Sequence, residues 1–320
     1  MRIGWIGFHY EGLSSFENLL DLGYRIEIFI TLKEENLLRK SGYSKDYESY
    51  CKKYSIPVYY VENINSQEAQ ILMLKYDLDI CFVIGWGQII NDKLLKIPKY
   101  GMIGAHASLL PENKGSAPIN WSIIKGESKT GNTLIKLNPG VDEGDIIDQI
   151  EIDITPFDTC KTLYDKVSDT NKVMIQRALE NYAEGTLFSK KQPKTTSEVL
   201  PRRRPSDGNI DWSKESYEIF NFIRALTEPY PGAYTYLDGE KWIIWNTSLL
   251  PYVESGFFKP GQIIGPVVNN KKEACGSLVA CGDGFIIIHE MQNETGQKFS
   301  GYDLAQFKFK SKFFVNEQQK

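Results

Sequence analysis

Short apolar runs without alternation, separated by segments of helical period, constrain this chain more than any other feature. Arg2–Phe8 (RIGWIGF) and Ile80–Ile84 (ICFVI) are runs of this kind. They suit strands buried on both faces, an environment that parallel sheets covered by helices provide. Between them, Ser14–Leu22 places Phe16, Leu19 and Leu20 at helical spacing and stops at Gly23. Arg25–Thr31 and Ile56–Tyr60 read as further strands and Gln67–Lys75 as a helix. Strand–helix alternation predicts an α/β fold with a doubly wound, mostly parallel sheet, Rossmann-like in type.

The pattern changes later in the chain. Asp158–Glu184 carries Leu163, Val167, Ile175, Leu179 and Tyr182 as one amphipathic helix, closed by Gly185. Ser189–Gly208 is polar, aperiodic and holds three prolines, so it reads as a linker. Beyond it, Ser216–Leu226 is helical, with Ile219, Phe222, Ile223 and Leu226 on one face. Ala233–Leu237 and Lys241–Trp245 flank Asp238-Gly239, a strong hairpin signal, and Ser277–Cys281 and Phe285–His289 flank GDG. A smaller C-terminal domain, antiparallel and β-barrel-like in the manner of an OB fold, is expected there. The predicted partition is 1–188, a linker at 189–208, and 209–320.

At 320 residues the chain has room for two cores. Its 37 Lys+Arg against 41 Asp+Glu leave a net charge of −4, which disfavours nucleic acid as the main partner. Five scattered cysteines with no CxxC suit reduced thiols. The opening MRIGWIGF reads as a strand rather than a leader, and the longest apolar stretch, Cys81–Ile90, is interrupted by glycines and Gln88. A cytoplasmic protein without a membrane span is expected. No HExxH or Cys/His cluster offers a metal enough ligands, so no metal is expected.

Three histidines carry most of the chemical interest. His289, in FIIIHE, reads as an ordinary strand residue. His9 ends the first strand, where open α/β sheets bind ligands, and is a candidate for substrate binding. His106 lies in GMIGAHASLLPENKG, and Asp142 follows thirty-six residues later in GVDEGD, a segment too rich in Gly and Asp for helix or strand. An imidazole and a carboxylate brought together from two such turns can share a proton.

The stretch HASLLPENKGSAPINWSIIKGESKTGNTLIKLNPGVDEGDII resembles the signature of the formyltransferases that use 10-formyltetrahydrofolate. FHYEGLSSFENLLDLGY near the start and RRRPSDGNIDW…IRALTEPYPGAYTY after the linker are similar to the sugar-nucleotide branch, in particular to the formyltransferase domain of the bifunctional polymyxin-resistance enzyme. The resemblance implies that an amine attacks the formyl carbon, passes through a tetrahedral oxyanion and expels tetrahydrofolate. It implies that His106 relays the amine proton while Asp142 orients and charges it. It also implies that Phe82, Ile84, Trp86, Leu110, Val141 and Asp142 hold the pterin, largely through main-chain groups. His9, Ser108, Arg204 and Tyr230 are expected to meet the second substrate, a nucleotide-linked amino sugar of surface-polysaccharide synthesis (lipopolysaccharide or O-antigen). A homodimer is implied by likeness.

One departure stands out. Where the family places an oxyanion-donating asparagine, this chain has Gly104. Asn113, Asn132 or a substrate-bound water are the substitutes, and a weak or altered catalyst is the remaining reading. Two other functions stay open: formylation of methionyl-tRNA, and a folate- or nucleotide-binding homologue with little turnover. Against tRNA, the region TLKEENLLRKSGYSKDYESY is mixed in sign and lacks that branch's basic loop of Pro, Arg and Gly.

Overall fold

The computed structural model describes residues 1–37, 40–250, 253–306 and 314–315. These divide into two units: Met1–Ile119, Ser128–Ile154 and Thr162–Arg202 form the first, and Asn120–Glu127, Thr155–Lys161 and Arg203–Lys320 the second.

The first unit is built on β1 (Ile3–Gly7), β2 (Ile26–Leu32), β3 (Val58–Val61), β4 (Ile80–Ile84), β5 (Met102–His106), β6 (Lys129–Lys136) and β7 (Asp145–Asp153). Helices α1 (Leu13–Asp21), α2 (Glu34–Leu37), α3 (Asp46–Lys53), α4 (Gln67–Tyr76), α5 (Asp92–Leu95), α6 (Pro118–Ile124) and α7 (Cys160–Ala183) occur in that chain order. The seven strands run β3-β2-β1-β4-β5-β6-β7. The first five are parallel, whereas β6 runs antiparallel to both β5 and β7.

Alternate residues of a strand point to opposite faces, and here each face has its own core. Trp5, Phe82 and Ile84 join Phe16, Leu19, Met174 and Leu179 on one side. Ile6, Cys81 and Val83 join Met73, Leu94 and Met102 on the other. Two buried faces explain why RIGWIGF and ICFVI do not alternate. The strand order reverses between β1 and β4, so the carboxyl ends of these strands and of β5 share one sheet edge. That edge collects His9, Trp86 and His106.

The second unit contains α8 (Ser216–Ala225) and a six-stranded antiparallel sheet of β8 (Ala233–Leu237), β9 (Glu240–Leu250), β10 (Ile263–Val268), β11 (Ala274–Ala280), β12 (Phe285–Asn293) and β13 (Lys298–Ser300). Its core sets Ile219 and Ile223 of α8 against Ile244, Val279, Ile286 and Ile288. Asp238 and Gly239 both take positive φ, 53° and 83°, as a type I′ hairpin requires.

Three elements differ from the sequence expectation. α3 forms in the mixed-sign region because Tyr47 and Cys51 bury together on one face. β7 extends DIIDQIEID beyond the GVDEGD turn, and β10 forms despite Gly265 and Pro266. Among the described residues no helix is long and apolar enough to cross a membrane.

Candidate active site

His106 is the last residue of β5, and Asp142 sits in the turn between β6 and β7. The register pairs His106 with Thr133 and Ile103 with Lys136, so β6 ends beside the amino end of β5 and the turn must fold back along the sheet to bring Asp142 to His106. Asp142 adopts φ +53°, and Gly144 is required beside it: a Cβ there would lie 2.0 Å from the Lys136 carbonyl oxygen. The His106 Nδ1 stands 3.6 Å from Asp142 Oδ2, and that same oxygen accepts the Gly115 N–H at 2.9 Å. On its other side, His106 Nε2–H donates to the Asn113 carbonyl at 2.9 Å, an assignment made because a carbonyl can only accept. His106 is therefore held between two acceptors on largely buried ground, its side chain 9% and that of Asp142 23% exposed. Such a pair can take a proton from a nucleophile and stabilise the positive ring that results.

The remaining expected site residues fall into distinct environments. Phe82 and Ile84 are completely buried in the first core, Phe82 with its ring 5.8 Å from Trp5. Their side chains cannot line an open cleft, so only main-chain atoms of these residues remain for a ligand. Leu110 is likewise buried, with Ile135 and Ile146. Trp86 is half-buried 6.0 Å from Phe8, its indole Nε1 buried without a hydrogen-bond partner, and Gly87 beside it faces open space. Val141 is exposed in the turn that carries Asp142. Of the residues expected at the pterin, Trp86, Val141 and Asp142 are the ones whose side chains keep exposed surface.

Ser108 was expected at the ligand surface but is fully buried in its turn. Its Oγ donates to the Glu112 carbonyl at 2.7 Å, and its own carbonyl accepts from Thr133 Oγ1 at 2.6 Å. This serine braces the loop that carries Asn113 and has no hydroxyl proton left for a substrate. Arg204 and Tyr230 belong to the second unit. Arg204 is exposed and its N–H donates to Asp207 Oδ2 at 2.6 Å, while Arg203 lies over the rings of Trp121 and Phe222 at 5.0 and 5.5 Å. Tyr230 is half-buried, its N–H donating to the Thr227 carbonyl at 3.1 Å.

Gly104 lies two residues before His106 and so on the same strand face. The position is not vacant. A Cβ there would meet Leu137 Cδ2 at 2.7 Å and Cγ at 3.1 Å, so the isobutyl group of Leu137 occupies the space an asparagine would need. Of the two expected substitutes, Asn132 is excluded. Fully buried, its Nδ2 is committed to Val167 O, Thr170 Oγ1 and Asn171 Oδ1 on α7, at 3.4, 3.0 and 2.6 Å. Asn113 is partly exposed and its main-chain carbonyl meets His106, so it is the expected substitute that lies next to the pair.

His9 is buried rather than lining an open cleft. Its ring stacks on Tyr10 at 4.7 Å and tilts against Tyr164 at 4.8 Å, and its Nδ1 accepts the Glu11 N–H at 3.3 Å. The Glu11 carboxylate, 3.8 Å from that nitrogen, is a buried group that sequence reasoning passed over, because nothing in FHYEG marks the glutamate as inward-facing. Burial pushes the Glu11 carboxyl from near 4.5 up to about 7 and the His9 imidazole from 6.5 down to about 4. The folded state thus favours neutral Glu11. Its stability contribution is intact below the unfolded value near 4.5 and is lost as the pH rises through about 7. Glu11→Gln removes this loss: relative to the parent, the variant gains roughly 2–3 kcal/mol between pH 4.5 and pH 8. Chemical denaturation at the two pH values checks this, and an equal difference at both would contradict it. His9 acts in the opposite window, its contribution intact above 6.5 and lost as the pH falls toward 4.

Comparison with known proteins adds to this geometry. Residues 32–179 match the formyl transferase family model and residues 203–308 the model of its C-terminal domain. The chain is 35% identical over 253 residues to a methionyl-tRNA formyltransferase of Geobacter metallireducens, covering 79% of this chain and 78% of that protein. It is 33% identical over 249 residues to the bifunctional polymyxin resistance protein ArnA of Wigglesworthia glossinidia brevipalpis, covering 78% of this chain but only 38% of that one. Among solved structures, the fold matches WlaRD, described as a sugar 3N-formyl transferase in the presence of dTDP and 5-N-formyl-THF. That match has a TM-score of 0.65 and 20% identity over 93% of this chain and 99% of that one.

Proposed function

Since this chain belongs to the formyltransferase family, we propose that it moves a formyl group from 10-formyltetrahydrofolate to the amine of a nucleotide-linked amino deoxysugar. The observation that carries the transfer chemistry is the His106–Asp142 pair, with Nδ1 3.6 Å from Oδ2 at the carboxyl edge of the parallel sheet. In the reaction a bond forms between the amine nitrogen and the formyl carbon, and the bond from that carbon to the folate nitrogen breaks. His106 accepts the proton released by the amine and returns it to the departing nitrogen, while Asp142 holds the ring and balances its charge. Negative charge develops on the formyl oxygen, and Asn113, whose main-chain carbonyl meets the His106 ring, is the residue we assign to answer it.

The acceptor is argued from the surface after β2. A tRNA is gripped through its phosphates and needs a concentration of Lys and Arg. Here that region folds into α2, which opens with Glu34 and Glu35, and α3, which opens with Asp46 and Glu48 and closes with Lys52 and Lys53. Its mixed charge suits a small nucleotide-linked sugar better. The second reading, methionyl-tRNA, is favoured by the 35% identity to an enzyme of that name.

The deciding experiment is a panel of formyl-transfer assays with dTDP-, UDP- and GDP-linked amino sugars, amine at carbon 3 or carbon 4, beside methionyl-tRNA. Turnover of one sugar nucleotide with no formylation of the tRNA is the expected result. Formylation of the tRNA alone would replace the sugar assignment, and folate binding without transfer to any acceptor would replace catalysis by a binding role.

A further inference from the structure

The segment that follows α7 does not run free between the two units. Lys190 and Ile146 exchange two main-chain hydrogen bonds, at 2.8 and 2.9 Å, at the start of β7. Leu200 donates its N–H to Lys114 O at 2.7 Å, and its carbonyl accepts the Ser116 N–H at 3.1 Å. Between these anchors Thr195 Oγ1 donates to Glu112 Oε1 at 2.9 Å, and Ser197 Oγ bonds the other oxygen of that carboxylate. Residues 190–200 are thus strapped across the two loops that deliver Asn113 and Asp142.

Gln192 lies at the centre of this strap. Its Nε2 donates to two carbonyls of the turn, Asp142 O at 2.7 Å and Gly144 O at 2.8 Å, while its Oε1 is buried without a partner. Only an NH₂ group can stand between two carbonyl oxygens, so the chemistry defines which way the amide faces. The clamp spans the residue whose φ of +53° aims the carboxylate at His106 and Gly115.

We propose that Gln192 is a positioning residue for the proton-transfer pair: its amide locks the turn so that Asp142 Oδ2 stays between Gly115 N–H and His106 Nδ1. The idea rests on the formyl-transfer reading of that pair for its kinetic consequence, but not for its structural one. Displacing a catalytic group by about an ångström costs on the order of a hundredfold in rate, so loss of the clamp lowers kcat by about tenfold to a hundredfold. KM for the folate changes less than kcat, because Trp86 lies outside the turn.

The test compares Gln192→Met, which keeps length and loses both donors, with Gln192→Glu, which keeps shape and regains one O–H donor only when protonated. Both are assayed from pH 5 to pH 8, and the N–H exchange rates of Gly115, Ile146 and Leu200 are read by NMR in the free protein. The proposal expects folded variants with reduced kcat at pH 8. The Gln192→Glu rate, taken as a ratio to the parent, recovers as the pH falls, whereas the Gln192→Met ratio stays flat. Exchange speeds up at Gly115, which reports the carboxylate, and stays slow at Ile146 and Leu200, which report the strap. Parent-like kcat in folded Gln192→Met would overturn the proposal, as would identical pH ratios for the two variants or equal acceleration at all three amides. Should the parent turn over no acceptor, the function assignment falls and the Gly115 rate alone decides the role of Gln192.

Discussion

Single-turnover formyl transfer by His106→Ala is expected to fall by about a thousandfold, within the range that a positioned acid–base group supplies. Asp142→Asn is expected to lose about a hundredfold with little change in folate binding. The difference follows from the geometry. Alanine removes the only imidazole at the end of β5, whereas asparagine keeps the shape of the turn and can still accept the Gly115 N–H through its oxygen. That same oxygen faces His106 Nδ1, so the contact survives but the negative charge that balances a protonated ring is lost. With Nε2–H already given to the Asn113 carbonyl, a second proton on Nδ1 would face a neutral amide oxygen instead of a carboxylate. Rapid-quench measurement of one turnover, with tetrahydrofolate affinity measured separately, checks both values. Undiminished transfer by His106→Ala would move the proton relay elsewhere, and the buried Glu11 would be the next carboxyl to test.

The second large effect concerns Gly104. Restoring the family asparagine is the obvious way to test a weakened catalyst, yet Gly104→Asn alone is expected to cost about 1–3 kcal/mol of stability without raising turnover. The reason is the 2.7 Å approach of a Cβ to Leu137, which packs against both Leu110 and the Met102 side of the sheet and can give way only in part. Gly104→Asn combined with Leu137→Ala opens the space. The pair is expected to recover part of the lost stability and to turn over at least tenfold faster than the parent, since one oxyanion donor contributes about a hundredfold or more in rate. Thermal unfolding and single-turnover rates of the parent, the two single variants and the double variant check the coupling. If the single Gly104→Asn variant is both stable and faster, Leu137 is no obstacle and the steric account fails.

Much of the fold was legible because it follows from local rules. The strand at Ile80–Ile84 and the helices near Gln67–Tyr76 and Ser216–Ala225 declare themselves by burial pattern, and the Asp238-Gly239 hairpin by turn chemistry. That His106 and Asp142 come together was legible too, through the family resemblance of two motifs rather than through spacing. What was not legible depended on distant partners. α3 is mixed in charge along its length, and only the packing of Tyr47 and Cys51 against the first core makes it a helix. Asn132 reads as a donor in GNTLIK, but its pairing with α7 uses its amide up. Ser108 reads as a free hydroxyl in HASLLP, but its turn consumes it.

The sequence by itself determined that two cores would form and that the first would surround a mostly parallel sheet, since periodicity and turn residues are properties of neighbours along the chain. The meeting of His106 and Asp142 was legible through the family resemblance. Only the tertiary structure decided that Leu137 fills the place beside Gly104, that Glu11 is buried against His9, and that Gln192, fifty residues beyond Asp142, clamps its loop. Those contacts join residues far apart in the chain, and steric exclusion and hydrogen-bond competition act only where folding brings such residues together.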